Sequence, residues 1–313
     1  MTIPGRCWST NILNCIGAET LRRAGRFRNL QNNRAPIARS MNSSEPLQTY
    51  QYPETVPKGL LRKTAFRCIN RLLLLRGLKL PPYFRVRDRL VCLVKGTELD
   101  IDRLCARLLK PAMKVVDIGA NAGLLTRQFC RRVGPSGWVY AVEPDPLTFQ
   151  FLEFNTRSFK NKELIQCAIS DNEGPALLHL NFTSGTGNSL LNQGHSKESV
   201  PVTCISLDEF LKQRGDPAVD VIKIDVEGAE LSVLRGMRQT MERLPELKII
   251  IEYCPANLNG AGVRPCEVFD ELRSHSFNLQ AIRANGSVEG VERFEKVEAH
   301  LNPSGYVNLL CVR

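Results

Sequence analysis

The strongest chemical signal in the chain is the run Val115–Leu125, in which an apolar strand passes through glycines into a helix. Its spacing is Asp-x-Gly-x-x-x-Gly, with Asp117 at the end of the strand. Dinucleotide folds instead use Gly-x-Gly-x-x-Gly to bring a pyrophosphate to a helix N-terminus. Asp117 would repel a pyrophosphate, whereas it would attract the ammonium and sulfonium groups of S-adenosylmethionine. The turn therefore predicts this methyl donor as the cofactor, held by Asp117, Gly119, Asn121 and Gly123.

Residues after the next two strands predict how the rest of such a cofactor is held. Glu143 follows the apolar run Trp138–Val142. A carboxylate at this position can accept hydrogen bonds from both ribose hydroxyls. The third strand leads into a turn of small residues, where Ala168 and Asp171 are candidates for contacts with the adenine. Single residues of this kind are equally common in ordinary turns.

A second run, Asp220–Gly236, places three acids after an apolar strand: Asp225, Glu227 and Glu230. Carboxylates a few ångströms apart repel each other unless they share a proton or a cation. We predict Asp225 as a cofactor contact and Glu227 as a general base, with His195 as the alternative base. Glu230 also suits the dipole of the following helix. A divalent ion is a further alternative, but no ligand spacing requires a metal.

The runs Val116–Gly123, Val142–Pro144 and above all Ile222–Glu230, followed by Leu234 and Gly236, resemble the FkbM family of S-adenosylmethionine-dependent methyltransferases. The resemblance covers about residues 113–256 well and the C-terminal strands loosely, and it leaves out residues 1 to about 80. It implies methyl transfer to an oxygen, commonly a hydroxyl of a sugar, a glycolipid or another small molecule. It does not fix the acceptor.

Two other functions remain open at this point. One is an RNA methyltransferase recruited by a basic N-terminal arm, and the other is a non-catalytic scaffold that retains the cofactor fold. The formal charge of +10 is uneven, because residues 1–114 carry a net +15 and residues 115–313 a net −5. The acidic second part argues against a nucleic-acid channel around the cofactor. An NAD-dependent oxidoreductase is disfavoured by the spacing of the glycine turn.

The elements that position these residues alternate between strand and helix after residue 113. Strands are predicted near 114–118, 138–143, 163–168, 219–224 and 247–253, and helices near 122–133, 146–158, 207–214, 229–242 and 264–275. This alternation predicts a doubly wound α/β fold with a mostly parallel sheet. The runs 277–282 and 306–312 read as a closing antiparallel hairpin, with no helix between them. The resulting seven-stranded sheet with a reversed C-terminal strand is the Rossmann-like layout of class I methyltransferases.

Three regions are predicted along the chain: a disordered basic extension over 1–56, a helical and strand subdomain over 57–112, and the methyltransferase domain over 113–313. Within the second region, 84–95 alternates like a strand and 99–109 has a helical stripe. Residues 59–76 form an amphipathic basic helix with an apolar stripe on one face: Leu61, Ala65, Cys68, Ile69, Leu72 and Leu73. Packing of this stripe on the domain is the simpler interpretation, and peripheral contact with a membrane surface is the alternative. The irregular insertion over 182–200 and the segment before Lys114 are expected to shape the acceptor pocket.

Eleven cysteines are scattered without a Cys-x-x-Cys pair, and the four histidines show no metal-ligand spacing. This pattern is typical of reduced thiols in a cytoplasmic protein. The Arg-rich N-terminus leaves an organelle transit peptide as an alternative. No stretch has the roughly 18 apolar residues of a membrane span. The sequence leaves the oligomeric state, the role of residues 1–56 and the choice between Met1 and Met41 as the start undetermined.

Overall fold

Strands and helices alternate along the chain, as the spacing of apolar residues predicts. The computed structural model describes residues 60–80, 99–180, 188–191 and 198–313, all within the compact unit Tyr50–Arg313. The strands are β1 (Lys114–Ile118), β2 (Trp138–Val142), β3 (Lys162–Ile165), β4 (Ala168–Ile169), β5 (Gly174–His179), β6 (Ser199–Ile205), β7 (Val221–Ile224), β8 (Lys248–Tyr253), β9 (Asn278–Ile282), β10 (Val288–Gly290) and β11 (Val307–Val312). The α-helices are α1 (Leu60–Leu75), α2 (Leu99–Leu108), α3 (Leu124–Val133), α4 (Pro146–Thr156), α5 (Leu207–Lys212), α6 (Glu230–Arg235), α7 (Arg238–Arg243), α8 (Pro255–Gly260) and α9 (Pro265–Ser274), and a 3-10 helix spans Phe294–His300.

The main sheet has the strand order β3-β2-β1-β7-β8-β11-β9-β10. Strands β1, β2, β3, β7 and β8 run parallel to one another, and β11 is antiparallel to both β8 and β9. The predicted doubly wound, mostly parallel sheet with a reversed C-terminal strand is confirmed, and the short β10 adds an eighth strand at one edge. The carboxyl ends of the parallel strands meet at one side of the sheet, where ligands bind in open α/β folds.

The C-terminal strands are not a simple hairpin. Between β9 and β11 the chain forms β10 and the 3-10 helix, and β11 then inserts between β8 and β9. The first five residues of β11 are buried. A strand that is buried on both faces has to lie inside the sheet rather than at its edge.

Two other predicted elements are divided in the structure. The strand expected over 163–168 ends at Ile165, and Ala168–Ile169 instead joins a second sheet of order β4-β6-β5. The helix expected over 229–242 is broken between α6 and α7 at Gly236. A Cβ on Gly236 would lie 2.6 Å from the carbonyl oxygen of Ser170, so the close packing of the Ser170 turn requires glycine at this position.

The two faces of the main sheet are covered by different helices. On one face, apolar residues of α5, α6, α7 and α9 pack with side chains such as Val116, Ile222 and Ile251. On the other face, α2 and α3 pack with the alternate residues of the same strands, including Val115 and Val221. This alternation assigns every strand residue to one face or the other, because side chains point to opposite sides at successive positions.

Helix α1 is held against the glycine turn by its C-terminal end. Leu73 and Leu80 are buried with Ala122, and the Asn155 side chain bonds to the backbone N–H and carbonyl of Lys79. The predicted packing stripe is partly wrong, because Cys68 and Leu72 are exposed to solvent. The face that meets Ala122 and its neighbours is centred on Ile69 and Leu73.

Several expectations fall outside the described residues: the extension over 1–56, the alternating segment 84–95, and most of the insertion around Thr183–Ser189. Among the helices that the structure describes, none combines the length and the apolar composition needed to cross a membrane.

Candidate active site

The glycine turn after β1 brings the ends of β1 and β7 into contact. Gly119 and Gly123 have φ angles of 78° and 80°, and Asn121 has a φ of 48°, all in the left-handed region. A Cβ on Gly119 would lie 1.8 Å from the backbone carbonyl oxygen of Asp225. Only glycine therefore allows the turn to pass this close to the end of β7. Pairing with β1 continues one residue past the end of β7, because the Asp225 N–H donates to the Ile118 carbonyl.

Glu143 ties the end of β2 to the same turn. Its Oε2 accepts a hydrogen bond from the Asn121 N–H at 2.8 Å, and its Oε1 accepts one from the Asp145 N–H at 2.9 Å. Burial raises the pKa of Glu143 to about 8, while these two N–H donors act in the opposite direction. Each carboxylate oxygen has a second lone pair, so Glu143 can still accept hydrogen bonds from a pair of neighbouring hydroxyls. The contact of Glu143 with the cofactor's ribose stays a prediction.

Asp117 lies beneath the turn and is buried. Its Oδ2 accepts a hydrogen bond from the Thr126 hydroxyl of α3 at 2.6 Å, and its Oδ1 has no partner among the described residues. Burial raises the pKa of this carboxyl, and the ammonium of Lys223 acts against that rise. Asp117 therefore holds the first turn of α3, and its second oxygen keeps the capacity to accept a further donor.

Acids after β7 and on β8 form the second part of the site. Carboxylate oxygens of Asp225, Glu227 and Glu252 lie within 4.8 Å of one another. The buried Lys223 ammonium pairs with Asp225 Oδ2 at 2.7 Å. Asn257 of α8 donates to Glu227 Oε2 at 2.6 Å. The site thus combines an excess of carboxylates with one buried ammonium and one fixed amide.

Burial and the neighbouring acids shift the proton affinity of this cluster. Burial raises the pKa of Glu227 above its ordinary value, with further increases from the charges of Asp225 and Glu230. The hydrogen bond from Asn257 and the Lys223 charge oppose this rise. Glu227 also has a φ of 53°, which is uncommon for a residue with a Cβ. Such strain is often found at functional sites.

Glu230 begins α6 and is buried behind the cluster. Its Oε1 accepts a hydrogen bond from the Gly228 N–H at 3.0 Å, and burial raises its pKa to about 7. This contact matches the expected interaction with N–H groups at the start of a helix.

Oxygen-rich clusters are the ligand sets that hard divalent cations use. Asp225, Glu227 and Glu252 are such a set within the part of the chain that the structure describes. Lys223 already supplies a positive charge to Asp225, however, and the Asn257 amide occupies one oxygen of Glu227. Two of the carboxylate oxygens therefore already have a protein partner, and the cluster can also serve in proton transfer or in the binding of hydroxyl groups.

The remaining predicted residues lie in different surroundings. Ala168 is buried in β4, and Asp171 is exposed with its carboxylate bonded to Ser170 and Asn172. The Ser170–Asp171 turn packs on Gly236 at the far end of α6 rather than on the acids that precede this helix. The proposed adenine contacts of Ala168 and Asp171 stay predictions. His195, the alternative base, lies outside the described residues.

Sequence reasoning missed Glu252, Asn257 and Asn188. Glu252 was detectable, because it is the only charged residue in the run Ile249–Tyr253 that precedes Cys254 at the end of an apolar strand. Asn257 follows Pro255 in a short helix, and nothing in its local sequence marks it. Asn188 donates to Asp145 Oδ2 at 3.3 Å, so one described part of the insertion lies next to the end of β2, beside the expected cofactor.

Comparison with known proteins shows the family of this domain. The profile of the methyltransferase FkbM domain matches residues 117–283, just over half of the chain. The 2-O-methyltransferase NoeI of Sinorhizobium fredii is 27% identical over 163 residues, which are 47% of this chain and 67% of that protein. The 31-O-demethyl-FK506 methyltransferase FkbM of Streptomyces tacrolimicus is 28% identical over 203 residues, covering 55% of this chain and 75% of that protein.

A third relative is the hexuronic acid methyltransferase AglP of Haloferax volcanii, which is 25% identical over 64% of this chain and 76% of its own length. Among solved structures, the O-methyltransferase TomG of Streptomyces achromogenes, in complex with S-adenosylmethionine, is 10% identical, with a TM-score of 0.42 over 82% of this chain and 90% of that chain. The matched region, 117–283, contains the glycine turn, Glu143 and the acids after β7. The chain therefore belongs to the FkbM family of S-adenosylmethionine-dependent methyltransferases.

Proposed function

We propose that this methyltransferase acts on a hydroxyl oxygen of a sugar, a glycolipid or a similar hydroxylated small molecule. Among the relatives, NoeI is a 2-O-methyltransferase, FkbM is a 31-O-demethyl-FK506 methyltransferase, and AglP is a hexuronic acid methyltransferase. The observation that carries the proposal is the position of Glu227, a carboxylate with a raised pKa held by Asn257 at the carboxyl end of β7.

The cofactor is held in this proposal by groups from three strand ends. The ribose hydroxyls donate to Glu143, and the backbone of the Gly119–Gly123 turn lies beneath the cofactor. Asp117 and Asp225 supply negative charge near its cationic part. When bound, S-adenosylmethionine supplies an electrophilic methyl group on a sulfonium. The protein then has to align an acceptor oxygen with that methyl group and to remove the hydroxyl proton.

Glu227 is the proposed acceptor of that proton. The bound cofactor would supply the methyl group to the acceptor oxygen, and Glu227 would take up the proton that the hydroxyl loses. A carboxylate with an ordinary pKa near 4.5 is a weak base for an alcohol, so the raised pKa of Glu227 brings it closer to the working pH.

The experiment that tests this role measures S-adenosylhomocysteine formation with a panel of hexosides and hexuronides. Glu227→Gln keeps the size of the side chain and removes its basic oxygen. We expect kcat to fall about 10²- to 10⁴-fold, the usual contribution of a general base, while the affinity for S-adenosylmethionine stays unchanged. Glu246→Gln, at an exposed glutamate before β8, is the control and should leave kcat at the wild-type value. Full activity of Glu227→Gln would exclude Glu227 as the base.

A peripheral contact of α1 with an anionic lipid surface is part of the same proposal. Leu72, Leu74 and Leu75 are 49%, 47% and 78% exposed. Arg67 and Arg71 are exposed on the same helix. Apolar side chains with flanking arginines are the composition of helices that lie in a membrane interface. For the compartment, the cysteines within the described ranges are free thiols, which supports a reducing cytoplasm.

A further inference from the structure

We propose that the acceptor binds in an open cavity formed by α2, the turn between β9 and β10, and the segment that leads into β11, and that it is a polyhydroxylated molecule of saccharide size. This inference rests on the proposed function and names the binding site of its acceptor. The cavity has a volume of about 510 Å³, within the range of about 300–1,000 Å³ typical of small-molecule sites.

A polar row on one face of the sheet connects this cavity with the active site. Val115, Val221, Ile250 and Leu310 pack on the α2 and α3 side of the sheet. Residues two positions away in each strand point to the same side. The residues at these positions are Asp117, Lys223, Glu252 and Asn308, and we call them the polar row.

Register places the members of the polar row on neighbouring strands. Asp117 is paired with Lys223 across β1 and β7, and Glu252 with Asn308 across β8 and β11. Lys223 itself is paired with Ile250, so the Glu252–Asn308 pair lies two residues farther along the same face of the sheet. Glu252 shares the acidic cluster with Glu227, whereas Asn308 lines the cavity. The cavity wall at Asn308 is therefore on the strand next to β8, which carries Glu252 of the acidic cluster.

The cavity lining has the groups that recognise hydroxyls. Asp100 Oδ2 accepts a hydrogen bond from Asn308 Nδ2 at 2.9 Å, and the buried Asn308 Oδ1 has no partner within the described part of the chain. Buried polar atoms are seldom left unpaired, so a donor from a ligand or from water is expected there. His300 and Tyr306 add groups that both donate and accept. Carboxylate, amide, imidazole and phenol groups together match a molecule with several hydroxyls.

One wall of the cavity is formed by the close packing of the turn between β9 and β10 on α2. A Cβ on Gly286 would lie 2.6 Å from Arg103 Cβ and 2.8 Å from the Leu104 nitrogen. Arg103 Nη1 donates to the Ala284 carbonyl at 2.6 Å, and Arg107 donates to the Gly286 carbonyl. The turn between β9 and β10 is therefore fixed on α2, which keeps the wall in place without a ligand.

The test fills the cavity from a surface position. Ala299 lines the cavity and is exposed, so Ala299→Trp adds bulk there without disturbing the core. Ser304→Trp is the matched control, because Ser304 is an exposed residue of the neighbouring loop that does not line the cavity. The probes are methyl β-D-glucopyranoside and methyl β-D-glucuronide. Their binding to the full chain saturated with S-adenosylhomocysteine is measured by saturation-transfer NMR.

We expect at least one probe to bind the wild type and Ser304→Trp, and Ala299→Trp to weaken its binding at least tenfold. Asp100→Asn, which keeps the side-chain size, should weaken the same probe. Equal probe binding by Ala299→Trp and the wild type, or no binding of either probe to a chain that binds S-adenosylhomocysteine, would overturn the inference. Failure of the wild type to bind the cofactor in calorimetry would contradict the proposed function instead, so the two failures are distinguishable.

Discussion

We predict that Glu143 is the residue on which cofactor binding depends most directly. Its carboxylate already accepts two backbone N–H groups, and ribose hydroxyls would add further donors to its ionised form. Because burial raises its pKa to about 8, binding should release a proton below that pH. The affinity for S-adenosylmethionine should therefore rise as the pH increases towards about 8 and level off above it.

Glu143→Gln tests this account by calorimetry across that pH range. Hydrogen bonds to a charged group contribute about 1.5–3 kcal/mol, so we expect the affinity to fall about 10- to 100-fold and its pH dependence to flatten. Glu153→Gln, at an exposed glutamate of α4, should behave like the wild type. An unchanged affinity for a folded Glu143→Gln variant would remove Glu143 from the cofactor site.

Asn257 is predicted to set the proton affinity of the base. Its hydrogen bond lowers the pKa of Glu227, so Asn257→Ala should raise that pKa further. The ionised carboxylate is the active form, so the pH at which the rate rises should move to a higher value. The rate on the high-pH plateau should fall less than the rate at low pH. Asn259→Ala, at an exposed asparagine of the same helix, should leave the profile in place. A uniform loss of rate without a shift of the limb would indicate a merely structural role for Asn257.

At the scale of elements, the approach of the glycine turn to β7 governs both stability and the site. Gly119 and Gly215 have φ angles of 78° and 76°, but only Gly119 faces a backbone oxygen within 4 Å of an added Cβ. Gly215→Ala should cost about 1–2 kcal/mol, the usual penalty of left-handed backbone. Gly119→Ala should cost more than about 4 kcal/mol, because a backbone clash is added to the same strain. Unfolding in urea measures both free energies, and equal losses would contradict the close approach.

The elements themselves follow from the sequence more readily than their ends do. The apolar runs predict β1, β2, β7 and β8 closely, because buried parallel strands have continuous apolar sequences. The break at Gly236 escapes prediction, since it depends on a turn 66 positions earlier in the chain. The exposed positions of Cys68 and Leu72 escape it for a similar reason. The buried face of an amphipathic helix is decided by the partner surface, which the sequence of the helix does not contain.

In the candidate site too, some residues can be predicted from the local sequence and others cannot. Asp117, Glu143 and Asp225 can be predicted because each stands at the end of an apolar run, and in parallel sheets such ends converge. Asn257 and the cavity beside Asn308 come from loops and from strand insertion, so local patterns do not reveal them. The polar row becomes visible only once β11 is known to lie next to β8.

At the scale of the whole molecule, the exposed leucines of α1 predict association with lipid vesicles. The full chain should sediment with vesicles containing phosphatidylserine, and less so as salt increases. Replacing Leu74 and Leu75 together by serine should abolish the association. Leu177→Ser, at a leucine that is 54% exposed on β5, should preserve it. Sedimentation that is equal for all three proteins would show that α1 is not the contact.

We predict that the carboxyl ends of β1, β2 and β7 hold S-adenosylmethionine. Isothermal calorimetry of the purified, folded chain with S-adenosylmethionine, and in parallel with NAD, tests it most directly. We predict micromolar binding of S-adenosylmethionine and no detectable binding of NAD, because Asp117 and the wide glycine spacing exclude a pyrophosphate. A folded chain that fails to bind S-adenosylmethionine, or that binds NAD equally well, would contradict this account.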